Sequence, residues 1–260
     1  NIVDMVAELN LGLGSVIFID DNPVERLRVA DAVPEILVPE WPKDPTMYVS
    51  ALRKLSCFEA MSVSAEDRHR KSMYVAERTR RDIKAKVDDK KDWLNKLGTT
   101  VTVESLSDKN IVRAVQLFNK TNQLNLSTRR LTEAQIVTWA EQQENLIKVI
   151  SVEDSFGKMG IVGILGLSAE GKEGVLLDYI LSCRVMGRKV EEALIYIAAT
   201  ELIKKSCLNM HIEFIPTERN RPTLEILKIT GLKEIKPNYF NVDLSKGIQR
   251  PTDIFINGYP

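Results

Sequence analysis

The chain has 260 residues, 44% of them apolar, and its 36 basic and 36 acidic side chains leave no formal net charge. That is enough apolar material for one large or two modest cores, and a charge too balanced for a dedicated nucleic-acid binder. No apolar run approaches the roughly 20 residues of a membrane span, no signal peptide is present, and Cys57, Cys183 and Cys207 lack metal-ligand spacing, which fits a reduced, cytoplasmic protein.

The first segment reads as helix, strand, turn, helix, strand. Residues 2–9 form a short amphipathic helix stopped by Gly12 and Gly14. Residues 15–19 (Ser-Val-Ile-Phe-Ile) are a continuous β-branched and aromatic run, the pattern of a parallel strand covered on both faces. Pro23 suits a first helical turn, and residues 24–30 continue that helix. A second strand over 35–39 is closed by Pro39, Pro42 and Pro45. Two strands and a helix do not make a stable domain, and the chain opens at Asn1 rather than a methionine. Residues 1–45 are therefore expected to be the C-terminal remnant of a larger domain. Residues 46–98 read as a helical connector: an apolar stripe through Val49, Leu52 and Leu55, then a long charged helix capped at Ser64 and ending near Lys86. Acidic residues interrupt its basic run from Arg68 to Arg81, which reads as a solvated helix face.

Residues 99–260 carry the clearest pattern. A strand over 99–103 precedes a helix capped by Ser107, and Thr132 with Gln135 forms a capping box for a second helix. Strands over 146–152, 161–168 and 175–182 follow, joined by turns carrying Asp154, Gly157, Gly171 and Gly174. An amphipathic helix of about 19 residues starts at Gly187, with Val190, Leu194, Ile197 and Leu202 on its apolar face. A strand over 210–215, a helix from Pro222 to a C′ glycine at Gly231, and a strand over 239–244 complete the order.

The segment richest in chemistry is 181–190, Leu-Ser-Cys-Arg-Val-Met-Gly-Arg-Lys-Val. A strand ends, the chain turns at a glycine and a helix begins, so amide hydrogens without internal acceptors meet the positive end of a helix dipole. Arg184, Arg188 and Lys189 would add charge-assisted contacts to phosphate, and Gly187 would let the backbone approach it. The plainer alternative is a strand–helix junction with incidental cations. Residues 119–125, rich in amides and hydroxyls, together with Arg129 and Arg130, suit either a substrate pocket or a polar interhelical loop. Cys183 is a nucleophile or a small buried hydrophobe. Asp178 and Glu213 lie on neighbouring strands as possible general bases, His69 and His211 supply no obvious one, and no catalytic residue is assigned. Asp20 and Asp21, at the carboxyl end of a parallel strand, suit magnesium or a helix cap.

Segment 184–189 resembles the pyrophosphate loop of GNAT-type acyltransferases, with Lys189 where that pattern has a small residue. Three stretches together, 20–26 (Asp-Asp-Asn-Pro-Val-Glu-Arg), 118–130 (Phe-Asn-Lys-Thr-Asn-Gln-Leu-Asn-Leu-Ser-Thr-Arg-Arg) and 181–188, resemble the FkbH-like family, and Thr217 and Asn220 in Pro-Thr-Glu-Arg-Asn fit the same pattern. The resemblance implies an α/β fold: a GNAT-like mixed sheet flanked by helices over 99–260, after a partial HAD-type (Rossmann-like) βαβ remnant and the connector. It implies an enzyme that loads an acyl unit, glyceryl from a phosphorylated glycerate, onto the phosphopantetheine thiol of an acyl carrier protein. The alternatives are a noncatalytic carrier-protein docking module and an acyl-coenzyme A-dependent N-acyltransferase. The cofactor, carrier-bound phosphopantetheine or coenzyme A, would be held by Arg184, Val185, Gly187, Arg188, Lys189, Asn122, Thr217 and Asn220. Magnesium at Asp20 and Asp21 is implied only with a complete HAD domain, whose Asp-x-Asp motif does not occur in the 19 residues before Asp20. Expected partners are the carrier protein and a small phosphorylated acyl donor, with neither nucleic acid nor membrane.

Overall fold

A computed structural model describes residues 2–9, 11–59, 76, 79–80, 90–230 and 232–259. The chain divides into two compact units, Asn1–Val63 and Ser64–Pro260, a boundary that falls within the stretch read as connector. The long helix expected over 64–86 lies outside the described residues except at 76, 79 and 80, which are helical. Among the described residues no helix is long and apolar enough to cross a membrane.

The first unit holds helices α1 (Ile2–Glu8), α2 (Pro23–Ala32) and α3 (Tyr48–Arg53) and a minimal parallel pairing. Asn22, not Asp20 or Asp21, caps α2: its side chain accepts the Val24 N–H, and Pro23 takes the position where no amide hydrogen is needed. The two expected strands do meet in parallel, but only as one bridge between Ile17 and Leu37. Phe18 N–H donates to Leu37 O at 2.9 Å and Leu37 N–H to Val16 O at 3.1 Å. Of its described apolar side chains Val6 and Ile36 are buried, while Val24, Leu27, Val49 and Phe58 stand exposed. The connector's apolar stripe is helical only through Leu52, because Leu55 turns to extended backbone (ψ 101°) before a 3-10 turn at Ser56–Phe58.

The second unit is a mixed sheet flanked by helices. Its strands are β1 (Thr100–Ser105), β2 (Leu124–Asn125), β3 (Asn145–Asp154), β4 (Gly157–Glu170), β5 (Glu173–Leu181), β6 (Asn209–Glu213), β7 (Lys233–Lys236), β8 (Tyr239–Asp243) and β9 (Phe255–Asn257). They lie in the order β7-β8-β6-β5-β4-β3-β1-β9, with β2 added to β5. Pairings are antiparallel except β5 with β6 and β1 with β9. Helix α4 (Lys90–Leu97) precedes β1; α5 (Ile111–Lys120) and α6 (Glu133–Ala140) come before β3; α7 (Val190–Lys204) and α8 (Arg221–Ile229) bracket β6.

Side chains from β5 divide between two cores, as period-2 alternation requires. Ile180 joins Phe118, Ile136, Val149 and Ile164 on the α5–α6 side. Tyr179 and Leu181 join Leu194, Ile197, Ala198, Leu202 and Phe240 on the α7–α8 side. The Thr132–Gln135 capping box forms as the sequence indicates. Helix α5 starts only at Ile111, because Asn110 Oδ1 turns back to accept the Ser107 N–H and ties 107–110 into a turn. Helix α7 has 15 residues rather than about 19, because Gly187 (φ 77°) and Lys189 (φ 67°) occupy left-handed backbone that a helix cannot include.

One irregularity positions the site. Strands β5 and β6 pair only from Glu173↔Asn209 to Leu176↔Ile212. At that point β5 takes a register shift against β4, with Leu176 opposite Leu167 and Asp178 opposite Gly166, so Leu177 is the extra residue of a bulge. A bulge bends its strand, and beyond it β5 parts from β6. Segment 124–126 enters the gap: Leu124 and Asn125 pair with Leu181 and Ile180. Leu126 then spans it, its N–H donating to Tyr179 O at 3.0 Å and its carbonyl accepting the Ile215 N–H at 3.1 Å.

Candidate functional site

The two polar stretches singled out in the sequence converge where β5 and β6 part. Asn122, Thr128 and Arg130 from one, and Thr217, Glu218 and Arg219 from the other, line a cavity of about 430 Å3. What brings them together is a buried lock beneath it. Asn220 is fully buried; its amide donates to Asn125 O at 3.0 Å and Ile215 O at 2.8 Å, and its oxygen accepts the Thr217 N–H at 2.7 Å. Thr223, also fully buried, accepts the Asn125 N–H at 2.9 Å and donates to Gln123 O at 3.0 Å. Asn220 thus lies under the cavity as scaffold, while Asn122 and Thr217 lie on its wall.

The cavity is cationic. Arg130 is held in place by its donation to Phe118 O and Asn122 Oδ1. The Arg219 and Glu218 side chains have no ion pair among the described residues. A fixed guanidinium, a second free one, two threonine hydroxyls and a carboxylate suit a small acid that also carries a hydrogen-bond donor.

The turn between β5 and α7 stands apart from this lining. Gly187 is exposed, and a Cβ there would meet open space, so glycine is required by its backbone angle rather than by a close approach. Its N–H, the amide read as a phosphate donor, is taken by the carboxylate of buried Glu191. Arg188 points inward: it is 3% exposed, with Nη1 at 3.5 Å from Asp154 Oδ2 and 3.2 Å from Met159 Sδ. Asp154 is gripped from its other side by Arg80, at 2.7 and 2.8 Å. The Lys189 ammonium lies 2.6 Å from Glu192, Val185 is a core residue, and Arg184 Nε donates to Ser182 Oγ at 3.2 Å. The turn as it stands does not offer the Gly187 amide to a coenzyme A diphosphate.

Of the two candidate bases on the parting strands, Asp178 is engaged and Glu213 is not at the cavity wall. The Asp178 carboxylate is fully buried and accepts from both Nε (3.0 Å) and Nη2 of Arg129 and from Ser127 Oγ (3.1 Å). Arg129 in turn lies over the Trp139 ring, 5.5 Å from its centroid. Glu213 is exposed at the end of β6. Burial pushes the Cys183 thiol up, against the lowering effect of Arg184, which leaves less thiolate for attack. His211 pairs with Glu173 at 2.5 Å, at the start of β5 rather than at the cavity; His69 lies outside the described residues.

In the first unit, Asp20 Oδ1 is engaged by the Asn22 N–H at 2.8 Å, and Arg26 Nη1 donates to the backbone carbonyls of Asp20 and Asp21. Among the described residues no group of three His, Cys, Asp or Glu side chains gathers there or elsewhere. Magnesium commonly takes one or two carboxylates from a protein, with water completing its shell; here the Asn22 N–H already engages Asp20 Oδ1.

No family model and no curated protein matches the sequence. Solved structures with a similar chain path include a domain from Methanocaldococcus jannaschii, 13% identical, covering 56% of this chain and 99% of that one with a TM-score of 0.45. The ribosomal-protein-S18-alanine N-acetyltransferase from Escherichia coli is 11% identical over 55% of this chain and 94% of its own, TM-score 0.42. An N-acetyltransferase from Staphylococcus aureus is 10% identical over 55% and 98%, TM-score 0.42. The architecture given above rests on strand order and register, not on these likenesses.

Proposed function

We propose that this chain is the acyl-recognition part of an FkbH-like acyltransferase, which loads a small acyl unit, glyceryl from a phosphorylated glycerate, onto the phosphopantetheine thiol of an acyl carrier protein. Its cavity at Asn122, Thr128, Arg130, Thr217 and Arg219 receives the anionic end of the donor. One observation carries the reading: two segments more than 80 residues apart in sequence, each polar and each ending in an arginine, are locked by Asn220 and Thr223 into one cationic wall. Its position, at the carboxyl end of β6 where the sheet opens, is where α/β sheets place ligands. Hydrogen bonds to a charged group contribute about 1.5–3 kcal/mol each, so two guanidinium contacts, about 3–6 kcal/mol together, correspond to roughly millimolar binding of a small acid.

Calorimetric titration with 3-phosphoglycerate tests the site. Binding that Arg219→Ala and Arg130→Ala each weaken tenfold or more supports it, and no binding at millimolar ligand refutes it. Mass spectrometry of holo carrier protein incubated with the enzyme and candidate donors tests the loading.

A noncatalytic docking module is the second reading. The observation in its favour is that two of the candidate catalytic groups are disabled: Asp178 is ion-paired and the Cys183 thiol is raised. Association with holo carrier, lost in Arg184→Ala and never accompanied by an acylated thiol, would select it.

A further inference from the structure

The cavity wall contains one residue whose backbone conformation its own side chain disfavours. Among the described residues four other than glycine adopt a positive φ: Thr128 (52°), Lys189, Ser206 and Asn238. Of these only Thr128 is β-branched, and only Thr128 lines the cavity. Left-handed backbone crowds the Cβ of any L-residue, and a β-branched side chain there is a clear outlier. Such a conformation persists only where its surroundings impose it. Here they do so from three directions. The Thr128 N–H donates to Oδ1 of fully buried Asn125 at 2.8 Å. On one flank Ser127 Oγ donates to Asp178 Oδ1 at 3.1 Å, and on the other Arg129 Nε donates to the same oxygen at 3.0 Å. Both neighbours are thus drawn to a buried carboxylate, while Thr128 and Arg130 line the cavity. The Thr128 hydroxyl has no hydrogen-bond partner among the described residues. A residue needed only to turn the chain here would be glycine or asparagine, which adopt this backbone more readily.

We infer that Thr128 is a binding residue for the donor acid, held in strained backbone so that its hydroxyl donates, beside Arg130, to an oxygen of the bound anion. This role rests on the proposed function of the cavity and adds to it a neutral donor that a carboxylate or phosphate oxygen accepts. The strain is then the cost of keeping Ser127 and Arg129 on Asp178 while the residue between them serves the ligand.

The test pairs calorimetric titration of 3-phosphoglycerate with urea unfolding, for the wild type and for Thr128→Ser, Thr128→Ala and Thr128→Gly. Alanine loses the hydroxyl and keeps the strain; glycine loses the hydroxyl and relieves the strain; serine keeps the hydroxyl. The alanine and glycine variants should each bind about tenfold more weakly, and the serine variant should stay within about threefold of wild type. The urea midpoint of the glycine variant should nevertheless lie above that of the alanine variant. A loop brace without a ligand contact would instead give binding that follows stability. Circular dichroism identifies the variants that fold, and serine against alanine provides the measurement if the glycine variant does not. Wild-type affinity in a folded alanine variant overturns the role of Thr128, and so does a serine variant that loses as much as alanine. A glycine variant no more stable than alanine overturns the strain. Wild-type binding that Arg219→Ala weakens and Thr128→Ala leaves unchanged removes this role and keeps the proposed function, whereas no wild-type binding at millimolar ligand removes both.

Discussion

Asp178 on β5 lies opposite Gly166 on β4, and its carboxylate fills the space that any side chain at 166 would need. A Cβ built on Gly166 would stand 3.0 Å from the Asp178 Cβ and closer still to its carboxylate oxygen. Asp178 has no room to yield, because Arg129 and Ser127 fix both its oxygens. Gly166→Ala is therefore expected to destabilise the second unit by about 1–3 kcal/mol through overpacking. Urea unfolding measures this, and an unchanged midpoint would show that the strand shifts freely.

The ion pair itself gives a sharper expectation. Arg129→Met leaves a carboxylate uncompensated in the interior, at a cost of about 3–5 kcal/mol. The double variant Arg129→Met, Asp178→Asn removes the stranded charge and should recover a large part of that loss. A double-mutant cycle by chemical denaturation reads the coupling directly, and strict additivity would mean that the two groups act independently.

What the sequence made legible here was whatever has a local physical signature. The Thr132–Gln135 box, the three long central strands and the apolar face of α7 each follow from spacing and side-chain type. Strands β2, β7 and β9 escaped it for separate reasons. Two residues carry no periodicity, Lys-Glu-Ile-Lys reads as a charged loop, and Phe255–Asn257 is too short to register. The turn at 187 was legible as a shape, a glycine before a helix, but not as a filled one. That Glu191 would fold back onto Gly187, and that Arg188 would point to Asp154 across 34 positions, depends on tertiary placement. Convergence of Asn122 with Thr217 likewise came from a resemblance, since nothing in the residues between them states that they meet.

Asn220 is expected to act as a positioning residue for the cavity. Asn220→Ala removes the amide that ties Asn125 O to Ile215 O and leaves both carbonyls and the Thr217 N–H without that partner. Each orphaned buried group costs about 1–3 kcal/mol. The observable consequence is weaker 3-phosphoglycerate binding even in solutions where the variant remains folded. Asn220→Asp, which keeps one acceptor for Thr217 but loses both donors, should not restore it.

The acid limb of stability is expected to run through Glu201. Burial alone would push its carboxyl up, but hydrogen bonds from Lys148 (2.8 Å), Lys204 (2.7 Å) and the Tyr259 hydroxyl (2.9 Å) outweigh burial and hold it below its ordinary value of 4.5. A carboxyl lowered in the folded state contributes stability above its unfolded pKa, and that contribution is lost as pH falls through the folded value. Stability should therefore be flat in this contribution above about pH 5 and decline below 4.5. Glu201→Gln should lower the plateau and reduce the slope of the decline, measured by urea midpoints between pH 3 and 7. An unaltered slope would assign the acid sensitivity to other carboxylates.

Lys189 offers the most local test of how this turn is built. Its φ of 67° places a Cβ in left-handed backbone, which costs a non-glycine residue roughly 1–2 kcal/mol. The side chain recovers part of that through its pair with Glu192, but both partners are about a third exposed and such pairs contribute no more than about 1 kcal/mol. Comparing Lys189→Gly with Lys189→Ala separates the two effects, because both lose the ion pair and only glycine relieves the backbone. Glycine gives back some of its gain through the greater freedom of the unfolded chain. The glycine variant should nonetheless be the more stable of the two, by about 1 kcal/mol in urea unfolding. Equal stabilities would mean that the turn relaxes out of the left-handed region in solution, and the Gly187 amide would then no longer be held where Glu191 can reach it.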